Sequence, residues 1–198
     1  MIAKDFANST IQQSSRALNT RLLGTLGMLA SPMMLVEALY AGFQQHGTDQ
    51  FIGLLGVIYM GGWMCSIAGL RALNATGQGR VGRALLIIQL IGLSIAALWS
   101  GHHLFTTNPQ TEHTLYILTD LAWPLSHLFM IVVGIATLVT RNLQDWRRFT
   151  PLFCGLALPA AIIASIIAGE TALGIVFSTG TTTAFALLGY AVRTSNEA

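Results

Sequence analysis

The sequence predicts an all-α fold: a bundle of six transmembrane helices with both termini on the cytoplasmic side. Three observations carry this. Only 9% of the 198 residues are charged and 53% are hydrophobic, whereas an ordinary soluble domain carries about 25% charged residues. Mean hydropathy is +0.62, so too few polar groups remain to wet a globule. Finally, lysine and arginine occur only in alternate connections between apolar stretches. A soluble enzyme, a disordered regulator and a nucleic-acid binder are excluded on these grounds.

A bilayer core of about 30 Å is crossed by about 20 mostly apolar residues. Six stretches reach that length, at about 21–43, 51–71, 83–105, 115–140, 149–169 and 171–192. Lys4, Arg16 and Arg21 precede the first. Arg71, Arg80 and Arg83 lie between the second and third, and Arg141, Arg147 and Arg148 between the fourth and fifth. Arg193 follows the sixth. The other three connections hold no Lys or Arg. Short cytoplasmic loops concentrate positive charge, which places both termini inside and the protein in the cytoplasmic membrane. The last two spans are separated only by Gly169-Glu170, which predicts a tight hairpin. The organisation read from this is a cytoplasmic segment 1–20, a transmembrane domain 21–193 and a tail 194–198.

Residues 1–20 lack the short apolar core of a removed signal peptide. They are expected to lie on the inner surface, with Ile2, Phe6 and Ile11 dipping into lipid. Cys65 and Cys154 sit in spans two and five and read as reduced thiols acting as small hydrophobes. Membrane helices associate through small residues that allow close approach. Such residues recur four apart at Gly61, Cys65 and Gly69, at Gly92, Ala96 and Ser100, at Ala157, Ala161 and Ser165, and at Gly174, Ser178 and Thr182. They predict a compact bundle, alone or within a homo-oligomer or a larger membrane complex. Pro32, Pro124 and Pro159 interrupt three spans. Each removes one backbone bond and frees the carbonyl four residues earlier.

Ionisable groups inside spans are costly and usually face the bundle interior. Counted from the nearest arginine at 1.5 Å per residue, His127 lies roughly 21 Å deep, Glu37 roughly 24 Å, His102 roughly 28 Å and Asp120 roughly 32 Å. Ser178 and Thr179 reach roughly 21–23 Å on the same scale. These six residues come from four spans and share the outer half of the bilayer. They predict a polar pocket opening outward, with His102 at its mouth and the span-six hydroxyls on its wall. His103 is read with His102 as interfacial, and His46 and His113 as solvated loop residues.

Three chemistries fit such residues. One is a proton relay or ligand clamp for a small molecule or ion, in which Glu37 and His127 titrate as the ligand passes. The second is a metal site, for which His102, His127, Asp120 and Glu37 offer nitrogen and oxygen donors suited to zinc, iron or copper. No HExxH or comparable spacing supports it. The third is haem held by two histidines; His127 and His102 differ in depth by roughly 7 Å, which makes haem the weakest fit. The resulting expectation is a transporter-like or sensor-like membrane protein. An intramembrane enzyme using the same residues, and a non-catalytic subunit of a larger complex, are the alternatives.

Other motifs carry less. Gly77-Gln78-Gly79-Arg80-Val81-Gly82 matches the dinucleotide pattern, but it lies between two spans rather than after a strand, and it reads as a turn. Lys4 is the only lysine, so the last span has none to bind retinal. A Gly-x-Ser-Gly nucleophile and a Walker motif are absent, and Asn108-Pro109-Gln110 is unpaired.

Overall fold

A computed structural model describes residues 19–43, 49–105 and 114–195. The amphipathic segment expected around Ile2, Phe6 and Ile11 lies outside the described residues, as do His46, His113 and Asn108–Gln110.

Six helices account for the described chain, and no strand occurs among the described residues. α1 runs Asn19–Tyr40 with a turn at Ser31 and Pro32, followed by α2, Gln50–Ala72, and α3, Arg80–Phe105. α4 is Thr114–Thr140. A 3-10 turn, Asp145–Phe149, leads into α5, Thr150–Ala168, and α6 is Glu170–Thr194. All six are long and apolar enough to cross a membrane. The expected spans agree with them to within a few residues at each end.

The helix ends follow from local chemistry. Asp49 caps α2, its Oδ1 accepting from the Ile52 N–H at 2.9 Å and its Oδ2 from the Tyr40 hydroxyl at 2.9 Å. The Ile52 N–H, then the Tyr40 hydroxyl, hold the Asp49 carboxyl below its ordinary value. The cap's charge therefore adds stability above the unfolded-state value, about 3.9, and that stability is lost as pH falls through the lower folded value. Thermal melts of wild type and Asp49→Ala should accordingly differ at neutral pH and converge in acid. At Gly169, the one residue between α5 and α6, φ is +86°. Only glycine adopts this freely, and the predicted hairpin forms there.

Proline costs α1 little. The carbonyl freed by Pro32 belongs to Met28, and the Ser31 hydroxyl donates to it at 2.9 Å. α4 and α5 continue past Pro124 and Pro159.

Helices adjacent in sequence pack together, and α1 closes the bundle against α6 and α2. α2 is the central helix, with 56% of its apolar window buried against 28–39% for the others. Two connections meet at the arginine-bearing end. The Thr140 hydroxyl donates to Ala75 O at 2.6 Å and Asn142 Nδ2 to Asn74 O at 2.7 Å. The glycine-rich hexapeptide sits here as a helix entry: the Thr76 hydroxyl donates to Gly82 O at 2.7 Å, and Gly77 has φ +97°.

Close approach is made by glycines that the four-residue spacing only partly identified. A Cβ on Gly62 would strike Ala30, whereas one on Gly61 would meet nothing within 4 Å. α4 and α5 interlock reciprocally: a Cβ on Gly134 would lie 2.5 Å from Leu152 Cα, and one on Gly155 2.5 Å from Ile131 N. Gly24 and Gly189 bring α1 and α6 together in the same way. Both cysteines are free, Cys154 buried and Cys65 half-buried.

Candidate functional site

Among the ionisable groups of the spans, His127 is completely buried, at 0% exposure. Its position follows from helix periodicity: Ser126, His127, Met130, Val133 and Thr137 form the buried stripe of α4. Five aromatic rings from three helices enclose it. Trp63 lies at 4.6 Å between centroids, Trp123 at 4.9 Å, Phe177 at 5.3 Å and Phe185 at 5.8 Å. Tyr59 completes the box, its ring 5.6 Å from Phe185 and 6.0 Å from Trp63. Most of these contacts are edge-to-face, the arrangement that the ring quadrupoles favour. Tyr59 and Trp63 are four apart on α2, and Trp123 and His127 four apart on α4, so each pair shares a helix face.

One hydrogen bond fixes Nδ1 as a donor, and for the neutral imidazole that assigns the tautomer. His127 Nδ1 lies 3.2 Å from Trp123 O. A carbonyl only accepts, so Nδ1 carries the hydrogen, and Nε2 is left with its lone pair. The Tyr59 hydroxyl donates to that lone pair across a loose 3.5 Å. A neutral imidazole thus presents an acceptor inside an apolar box, weakly engaged by one phenol. Two further buried polar atoms nearby have no hydrogen-bond partner: Trp63 Nε1, on a ring of the box, and Gln89 Oε1, whose own Nε2 donates to Ser126 O at 3.2 Å.

Glu37 belongs to the same region. It extends the interior stripe of α1, which runs through Gly27, Ala30 and Met34, and it is half-buried. It lies close enough to Tyr59 to interact with it electrostatically, as does Cys154. Glu37 thus lies within electrostatic range of Tyr59, which in turn contacts His127, and among the described residues no hydrogen bond joins the Glu37 side chain to either.

The other expected site residues fall elsewhere. Among the described residues, no hydrogen bond or ring contact links His102, Asp120, Ser178 or Thr179 to His127. His102 and Asp120 are exposed, near the end of the bundle remote from the arginines. His103, one residue further on and 100° around α3, is buried at 0% exposure against Trp99, 4.3 Å between centroids. Asp120 and His102 lie close enough to His103 to interact with it electrostatically. Ser178 is buried and Thr179 exposed, and both donate to Ile175 O on their own helix. Of the span-six hydroxyls, Thr182 reaches another helix, donating to Ser31 O at 3.2 Å. Among the described residues, no three His, Cys, Asp or Glu side chains form a group able to hold a metal ion. The suggested ligands Glu37, His102, Asp120 and His127 are not assembled into one donor set.

Sequence reasoning missed Tyr59, Trp63, Phe177 and Phe185. Their one available signal was the pair of aromatics four apart in span two, one of them carrying a hydroxyl. Compared with known proteins, the chain matches no family model, no curated protein and no solved structure.

Proposed function

We propose that this is a polytopic membrane protein that binds, and in a transport or sensing cycle passes, a small molecule or ion at Glu37, Tyr59 and His127. The observation that carries the reading is the completely buried imidazole with one loose partner at Nε2. A lone pair buried in low dielectric and held by a single 3.5 Å contact is a costly arrangement for a purely structural residue. It suits a group that exchanges Tyr59 for a ligand or a proton.

The ligand favoured by the surroundings is a small cation. Aromatic faces, a carboxyl group and an imidazole acceptor all attract positive charge, and the described arginines lie at the other end of the bundle. By the distribution of positive charge, that arginine end is cytoplasmic, both termini with it, and the site lies toward the outer half of the bilayer. An acid–base enzyme built on the same Glu37 and His127 is the second reading. It is favoured over a metal enzyme because these two groups share a neighbour in Tyr59, whereas no metal-sized donor set forms among the described residues.

The test uses the detergent-purified protein with a panel of inorganic and small organic cations. Binding is followed by calorimetry in buffers of differing ionisation enthalpy, which counts protons released. A cation should bind wild type with proton release, and binding should weaken at least tenfold in Glu37→Gln and in His127→Gln. A panel in which no cation binds wild type, or in which all three proteins bind alike, overturns the proposal.

A further inference from the structure

A second feature lies on the outer surface, away from the aromatic box. Between α5 and α6 lies a shallow groove of about 460 Å3, lined by Phe153, Leu156, Ala160, Gly180, Thr183 and Leu187. Its seam is shallowly filled: even a Cβ on Gly180 would remain 3.9 Å from Ala157 Cβ. The Thr183 hydroxyl is turned back to Thr179 O at 2.8 Å, so the wall the groove presents is apolar.

The groove has a chemically distinct mouth at the arginine end. Phe153 stacks on Phe149 at 6.5 Å, and the Arg148 guanidinium lies 5.2 Å from the Phe149 centroid. On the other lip, Tyr190 continues the Thr183–Leu187 face of α6 and stacks on Trp146 at 6.0 Å, the planes 15° apart. Half-exposed Trp and Tyr mark the headgroup level of a bilayer. Arg193 is one turn beyond Tyr190, and Arg147 lies beside Trp146. Nε of both Arg147 and Arg148 is buried without a hydrogen-bond partner. Among the described residues, no carboxylate forms an ion pair with these three arginines.

We infer that this groove holds one acyl chain of an anionic phospholipid, with the phosphate seated on Arg147, Arg148 and Arg193. Length supports this occupant. From Leu187 to Thr179 the groove runs roughly 12 Å along α6, within the half of the ~30 Å hydrocarbon core that one leaflet spans. Charge supports it too, since three guanidiniums at a headgroup-level mouth complement a phosphate. A second copy of this chain related by a two-fold axis along the membrane normal would bring the same arginines to the same end, where like charges repel.

The experiment compares dioleoyl phosphatidylglycerol with dioleoyl phosphatidylcholine added to the detergent-solubilised full chain, with apparent affinity read by native mass spectrometry and by thermal shift. Wild type should bind the anionic lipid preferentially. Arg147→Gln with Arg148→Gln should weaken that binding by roughly tenfold to thirtyfold and reduce the preference over the zwitterionic lipid, as expected for two cations beside an anionic headgroup. Ala160→Trp, at an exposed position, should fill the groove and abolish specific binding of either lipid while the protein still elutes as wild type. Equal binding of the two lipids by wild type, unchanged binding in the arginine variant, or unchanged binding in Ala160→Trp overturns the inference. So does an Ala160→Trp effect confined to the oligomeric state, which would make the occupant a second chain. None of these readouts depends on His127.

Discussion

His127→Ala is expected to destabilise the protein by about 3–5 kcal/mol, the range for truncating a fully packed aromatic-sized core side chain. Five rings converge on this imidazole from α2, α4 and α6, and none can collapse into the space without moving its helix. The cavity, rather than the lost hydrogen bonds, dominates the cost. The informative comparison is with His127→Phe, which keeps a ring of similar shape in an apolar box. Its expected penalty is about 1–3 kcal/mol, because the buried Tyr59 hydroxyl loses its acceptor. Removing that hydroxyl as well, in Tyr59→Phe with His127→Phe, should restore stability to near wild type, since both partners of the bond are then apolar. Chemical unfolding in mixed detergent micelles measures all three. The double variant also separates fold from function. It should be stable yet bind no cation, and a stable double variant that still binds would remove His127 from the site.

Gly189→Leu should be at least as damaging. A Cβ at Gly189 would lie 2.6 Å from Met28 N and 2.7 Å from Gly24 O, and one at Gly24 would lie 2.5 Å from Arg193 N. The obstacle is backbone on both helices, which cannot rotate aside, so α1 has to move outward as a body. Overpacking typically costs about 1–3 kcal/mol. Here the upper end or beyond is expected, because the shift would also pull Gly27 and Ala30 from Ser66 and Gly62 of α2. A lowered unfolding midpoint, together with new protease cleavage between α1 and α2, is the expected signature. Gly61→Ala is the matched control. With open space at its Cβ and the better helix propensity of alanine, it should be neutral or slightly stabilising. Equal losses in the two variants would refute the close-approach account.

The Gly61 control also marks what could be read before the fold was known. Span number and position followed from hydropathy and from the alternation of arginines, because the cost of burying charge or unpaired backbone in lipid acts on each segment independently. The same local reasoning located the Gly169 hairpin, and it singled out His127 and Glu37 as costly groups at depth. What it did not supply was rotation about each helix axis. In a soluble protein the apolar stripe marks the inward face, but here the outward face is equally apolar: Ile163, Ile166 and Ile167 of α5 point away from the bundle. Gly61 could not be told from Gly62, nor His102 from His103, although each pair is separated by a 100° turn. Packing decided those choices, by letting backbones meet where a Cβ is missing. It also drew Tyr59, Trp63, Phe177 and Phe185 around His127. Aromatic residues far apart in sequence meet only when three helices take up one relative rotation, and no local property of any single helix encodes that.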